Sequence, residues 1–399
     1  MLLFSKNSGR RIVMKRNKAG KLIAIMTLNM CLLLGCAEAP QTEEKNGIAY
    51  ETEQQDEAIQ DMIKKETTES GVKDGEHCKK TIGSGNNVIN IDAVVSAPEQ
   101  NTVAVKTAEP DPEALNTDVC MEILMGGKDN LKEIAVDDSG EKITDDNGEI
   151  VAIQRFIGTQ NTKEWSSIDG NLHLSTWNVG FDFVNDQLNT QYESIGLNGG
   201  SYTQKMDGDI AEDYTKEMAK KEVQDVFSQI LKLDIEFISC DAVWDDTGAG
   251  YYDFTIVPVV DNLPLAVNDR TIDVDEIVDV NGSIRIGKDG IASISAENFL
   301  WKITDTDEDS EYISLDSLWD ILQEYMDRGD ITGSPNVTFS RLSLSWLPIT
   351  DDWETAELRP VWKIYLPALD DGIGQAMSDN AASDICINAL NGKIESLMQ

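Results

Sequence analysis

Two stretches of this chain carry the apolar spacing of a buried helix face. Ala219, Val223, Val226, Phe227, Ile230 and Leu231 recur at i, i+4, i+7, i+8, i+11 and i+12. That spacing lines one stripe and predicts a helix near 213–232. Lys220, Lys221, Glu222 and Asp225 fall on the opposite face. Leu315, Leu318, Trp319, Leu322, Tyr325 and Met326 make a second stripe near 315–328. Ser314 is placed to cap its start and Gly329 its end. Elsewhere the pattern is that of strands, at 88–94, 102–105, 150–157, 171–176 and 180–184. Pro110 and Pro112 open a helix-like stretch that ends at Gly126-Gly127.

Each strong helix is followed by the same order of elements. After the first come Tyr251–Ile256 and a hairpin over Ile284–Ile294. After the second come Pro360–Leu366 and a hairpin over Ile385–Leu397. Asp289-Gly290 and Asn391-Gly392 suit tight turns with positive φ, and alternating apolar residues flank both. The fold class expected is α+β, antiparallel sheets with one packed helix per module. Domain boundaries follow at 86–210, a mainly β region, and 211–399, an α+β region of two units, 211–300 and 312–399. All eight Trp lie beyond residue 160, which puts the denser core in the C-terminal part. Arg359-Pro360-Val361-Trp362-Lys363-Ile364, with Ile387-Asn388-Ala389 and Asn391-Gly392-Lys393-Ile394, resembles the end of PepSY-like modules. The whole chain is similar to a family of bacterial surface lipoproteins. The resemblance implies a module that restrains proteases or senses ligands outside the membrane, with no catalytic residue to carry over.

The N-terminal end reads as an address. A basic stretch with Lys15, Arg16, Lys18 and Lys21 precedes an apolar run from Leu22 to Leu34. The run is too short for a membrane span, which needs about 20 apolar residues. Basic residues followed by a short apolar run are the order of a secretory signal. Leu33-Leu34-Gly35-Cys36 resembles a bacterial lipobox, which implies cleavage after residue 35 and a diacylglycerol on the Cys36 thiol. Translation from Met1 and from Met14 both fit this signal. Residues 36–85 are polar, with Tyr50 their only aromatic, and are expected to be a flexible acidic stalk. Ala58, Ile59, Met62 and Ile63 are spaced for a short amphipathic helix within it.

Composition narrows the partners. The signal holds seven of the 33 Lys and Arg and no acid, leaving 26 against 72 acids, a net charge of about −46. Such a chain repels nucleic acid and anionic membrane surfaces. The expected partners are the lipid bilayer, through the acylated cysteine, and another envelope protein or peptide. The expected location is the extracytoplasmic face of the cell membrane. Cys78, Cys120, Cys240 and Cys386 are widely spaced and read as buried thiols.

Candidate chemistry is sparse. Of two histidines, His77 lies in the expected stalk and His173 alternates with Leu172 and Leu174 on a polar strand face. No Gly-x-Ser-x-Gly, phosphate loop, dinucleotide fingerprint or His-Glu-x-x-His is present. Asp305, Asp307 and Asp309, with Asp316 eleven beyond the first, echo a calcium loop and form the candidate site for a loosely bound calcium. Against it, Ser310 replaces the turn glycine, and a solvated strand-to-helix loop is the other reading. Trp346, Trp353 and Trp362 are candidates for a binding platform. Trp353, between acids, is the one expected to be exposed, and Trp362 is expected in the core. The function expected is a non-catalytic interaction or sensory module. The runner-up is a ligand-binding lipoprotein serving a transporter or wall machinery. A carboxylate-dependent hydrolase stands third.

Overall fold

The computed structural model describes Ile59 and residues 75–98, 100–137, 142–144, 150–154, 162–195, 202–206, 208–245, 249–266, 277–278, 280–350, 354–365 and 384–397. These belong to one unit, Gln54–Gln399. Its first half runs β1 (His77–Ser84), β2 (Asn87–Ser96), β3 (Thr102–Val103), β4 (Lys106–Pro110) and α1 (Thr117–Ile123). Then come β5 (Leu131–Asp137), β6 (Lys142–Thr144), β7 (Ile150–Gln154), β8 (Lys163–Ser167), β9 (Leu172–Trp177), β10 (Gly180–Asn185), α2 (Asp186–Glu193) and β11 (Tyr202–Met206).

The second half has two stretches with one order. The first is α3 (Lys216–Ile230), β12 (Asp234–Asp245), β13 (Gly250–Val260), a short β14 (Leu263–Pro264), β15 (Asn281–Gly287) and β16 (Gly290–Glu297). After β17 (Trp301–Thr306) and β18 (Ser310–Glu311) comes the second. It is α4 (Leu315–Arg328), β19 (Thr338–Ile349), β20 (Ala356–Tyr365), β21 (Ile385–Asn388) and β22 (Ile394–Leu397). In each, a helix precedes four long strands that pair antiparallel with their neighbours, β12-β13-β15-β16 and β19-β20-β21-β22. The pattern adds one strand, directly after each helix, to the order read from the sequence. The architecture is α+β with mostly antiparallel sheets.

The sheets do not divide at residue 210. One, of eight strands, joins β1, β2 and β4 to β17 and β19–β22, with β2 parallel to β19. The other, of twelve, joins β5–β11 to β12–β16. Early and late strands thus complete each other's sheets, because a four-stranded meander still offers open edges.

Helix ends follow local chemistry. Ser314 Oγ accepts the Ser317 N–H, and Gly329 caps α4 in the left-handed region at φ 82°. Leu318, Trp319, Ile321, Leu322, Tyr325 and Met326 are buried, and the Tyr325 hydroxyl donates to the Gly392 carbonyl at 2.9 Å. Gly392 has φ 72° in the β21–β22 turn. Trp362 is fully buried, donates to Ile313 O at 2.9 Å and meets Tyr312 edge-on. None of the four described cysteines forms a disulfide.

Strand β1 and Ile59 fall within the expected stalk. His77–Ser84 is a strand paired along its length with β2, and Ile82 is 3% exposed. Ile59 is helical and buried in the main core cluster. An edge strand buries few side chains, so its sequence stays polar and resembles a tail. The rest of 36–74, the signal and Cys36 lie outside the described residues, as do Leu33, Leu34 and Gly35.

Two outcomes follow. A chain beginning at residue 86 loses Ile59 and β1, and chemical denaturation will show it less stable than residues 54–399 by about 3 kcal/mol or more. Trp362→Ala will cost about 3–5 kcal/mol by the same measurement, and Gly392→Val about 1–3 kcal/mol through backbone strain.

Candidate functional site: a polar cleft at the sheet seam

The two sheets meet beside Trp346 of β19. Its backbone carbonyl accepts the Ala266 N–H at 2.8 Å, and its indole N–H donates to Val260 O at 2.8 Å. Both partners flank the β13–β14 turn, where Asp261 and Asn262 have φ 47° and 65°. Two consecutive residues of positive φ make the tight turn that suits right-twisted strands, and Asp and Asn tolerate it best among non-glycine residues.

A cavity of about 1020 Å3 opens over this junction. One wall is the chain from Ser96 through β3 to Lys106, and the opposite wall is Glu236 of β12 with the turn at Asp261 and Asn262. Trp346 contributes to the lining, and Thr306 and Asp309 also border the cavity.

Its charges are arranged in pairs. Lys106, whose side chain is 12% exposed, forms an ion pair with Asp261 and sits 5.7 Å from the Trp346 ring centroid. Glu236 pairs with Arg341 of β19, which also donates to Phe237 O at 3.2 Å. Asp309 is exposed and has no ion pair among the described residues. Two of the three carboxylates thus have their own cation, and Asp309 is the one left.

A buried polar row lies next to Arg341. Arg341, Ser343 and Ser345 share one face of β19, and Tyr365 and Lys363 stand opposite the first two on β20. Tyr365 is flanked by both cations, Arg341 at 5.7 Å and Lys363 at 5.3 Å from its ring centroid. Lys363 is 1% exposed and pairs with Asp384 at 2.8 Å. Burial would push Lys363 below its ordinary value, but Cys386, Asp384 and Tyr365 outweigh it and hold the ammonium charged. Burial pushes the Arg341 guanidinium below its ordinary value.

The structure separates the candidate cation ligands. Asp305 lies on β17, Asp309 at the cleft and Asp316 in the first turn of α4. The Asp307 N–H bonds to Val105 O, and β18 pairs with β3. The segment therefore continues in an extended pairing instead of wrapping an ion. Among the described residues no three His, Cys, Asp or Glu side chains gather as a metal site. Trp353 lies outside the described residues. His77 pairs with Asp92 at 2.8 Å and His173 with Asp186 at 3.2 Å, both at the surface and away from the cleft.

Sequence reasoning missed Lys106, Glu236 and the Asp261-Asn262 turn. Only the turn had a local signal, Asp-Asn between Val259-Val260 and Leu263-Pro264.

No family model matches the chain, and no curated protein matches it. The fold is shared with solved structures. The chain is similar to the crystal structure of an uncharacterized protein from Eubacterium rectale ATCC 33656, with 14% identity and a TM-score of 0.52. The match covers 86% of this chain and 99% of that one. Among the described residues no helix is long and apolar enough to cross a membrane.

Removing Lys363 takes away the cation paired with Asp384, whose side chain is 13% exposed. Lys363→Met will therefore cost about 3–5 kcal/mol in a denaturant melt, and adding Asp384→Leu will recover most of the loss.

Proposed function

We propose that this chain is a lipid-anchored, extracytoplasmic interaction or sensory module that binds its partner in the seam cleft without transforming it. The observation that carries this reading is the cleft itself. Its lining comes from both sheets and is polar, and its central charges are already held in the Lys106–Asp261 and Glu236–Arg341 pairs. Fixed, mutually neutralised charges recognise shape and pattern. They supply neither a free nucleophile nor a base positioned against one. An occupant touches both sheets at once, which suits a module that reports on what it holds. The anchor rests on Leu33-Leu34-Gly35-Cys36, and the regulatory role on the resemblance of the last strands to PepSY-like modules.

Replacing Cys36 with serine will release the protein to the medium or stall its processing, read by fractionation and mass spectrometry. A lipidated mature chain still found with membranes would contradict the anchor. Thr102→Trp projects a large ring from the cleft wall. Crosslinking in intact membranes will show an envelope partner with the parent chain and at least a tenfold loss with Thr102→Trp, as expected when a pocket is filled. Turnover of an ester, peptide or glycoside by the purified chain would overturn the non-catalytic reading.

A further inference from the structure

The seam cleft is nearly neutral. Lys106 pairs with Asp261 and Arg341 with Glu236, so the lining keeps one uncompensated charge, on Asp309. A ligand carrying several charges finds no field there to hold it. Val103 and Ala104 are buried, which closes their backbone to an added strand. Val103, Leu263 and Trp346 are 6%, 5% and 1% exposed, so no apolar socket is open to an anchoring side chain.

What the cleft does offer is hydrogen bonding. Ser96, Gln100, Thr102, Asn262 and Thr306 border it, and all five side chains are uncharged. Gln100, Asn262 and Thr306 are exposed, and Ser96 and Thr102 are half-buried. Neither these side chains nor the Asp309 carboxylate has a hydrogen-bond partner among the described residues. They face the cavity from both walls, with Asn262 on the turn opposite Ser96, Gln100 and Thr102. Hydroxyls and amides both donate and accept. Gln100, Asn262 and Asp309 end in planar pairs of polar atoms, and such a pair bonds two neighbouring hydroxyls of a sugar ring at once. A neutral ligand rich in hydroxyls satisfies this surface and leaves no charge of its own unpaired. At about 1020 Å3 the cavity exceeds the roughly 300–1,000 Å3 of most small-molecule sites, which suits several linked rings.

We propose that the seam cleft holds a neutral oligosaccharide, bonded from both walls by Gln100, Thr102, Asn262, Thr306 and Asp309. A peptide is the poorer match. Its alternate side chains need apolar pockets or free charges, and the cleft has a single free charge. The inference rests on the cleft being the binding site.

The test uses the full chain and titration calorimetry with tetrasaccharides. Maltotetraose, cellotetraose and chitotetraose are neutral, and tetragalacturonic acid is anionic. At least one neutral sugar will bind, and the acidic one will bind about tenfold or more weaker than it. Added salt will leave the neutral sugar's affinity unchanged, because no ion pair forms. Gln100→Ala and Thr306→Val, both at exposed positions, will each weaken it about fivefold by removing a hydrogen bond, with the melting temperature unchanged. Thr102→Trp will abolish it, and an uncharged glycine-serine octapeptide will not displace it. No binding of any neutral sugar, tighter binding of the acidic one, displacement by the octapeptide, or indifference to the three substitutions would overturn the proposal. If Thr102→Trp abolishes the envelope crosslink while no neutral sugar binds, the cleft function stands and the saccharide occupant falls. If neither response is seen, both fall.

Discussion

The fold turns on one residue's three ties across the sheet seam. Trp346 bonds through its carbonyl to Ala266, through its indole N–H to Val260, and bridges Leu265 in parallel register. A tryptophan that is 1% exposed has to place its N–H on an acceptor, or its burial is opposed by the lost hydration of that group. Meeting that demand fixes where the β13–β14 turn sits against β19. The turn position then fixes Asp261, Asp261 fixes Lys106, and Lys106 stacks back over the same indole. The geometry of the cleft is thus a by-product of burying one ring correctly.

The same logic explains why the cations are where they are. A chain with 72 acids and 33 bases has few positive groups to place. Several of them are drawn inward. Arg285 holds Asp253 with two hydrogen bonds, stacks on Tyr251 and reaches Asn189 of α2. Arg341 ties β19 to β12, and Lys363 closes on Asp384. Burial pushes the Asp253 carboxyl above its usual range even beside that arginine, while, against burial, Asp253 and its neighbours raise the Arg285 guanidinium. The effect of these pairs is on register. A strand that slipped by one residue would leave a buried charge alone, at a cost of several kcal/mol. Pairing inward also leaves a surface dominated by acids, which is what the cleft rim at Asp309 presents.

What could be read from the sequence was local. Helix α4 was legible to the residue, because its stripe, its Ser314 cap and its Gly329 stop are all written within one short run, 314–329. The two glycine hairpins were legible for the same reason. Strand β1 was not, since seven of its eight side chains are exposed or half-buried and only its pairing partner makes it a strand. Strands β12 and β19 were missed because each follows a helix directly, and Ser343 and Ser345 break the apolar run of β19 with hydroxyls that are buried. The cleft was beyond local reading altogether. Its walls come from segments near 96–106, 236, 261–264, 306–309 and 346, and each alone looks like an ordinary solvated stretch. The acids at 305–309 were noticed as candidate cation ligands. Their alternation, read as a cation loop, is the alternation of an extended chain leading from β17 into β18.

That placement has a physical consequence for the site. Alternate acids on a loop that wraps converge on one ion, whereas alternate acids on an extended chain diverge to opposite sides. Pairing of β18 with β3 selects the second geometry, so Asp309 is turned to the cleft without Asp305 or Asp316 beside it. A lone exposed carboxylate is a poor cage for a hard cation, which needs six or more oxygens. It is a sufficient partner for one ammonium or guanidinium. The β3–β18 pairing therefore sets Asp309 at the cleft, apart from the other acids of its segment.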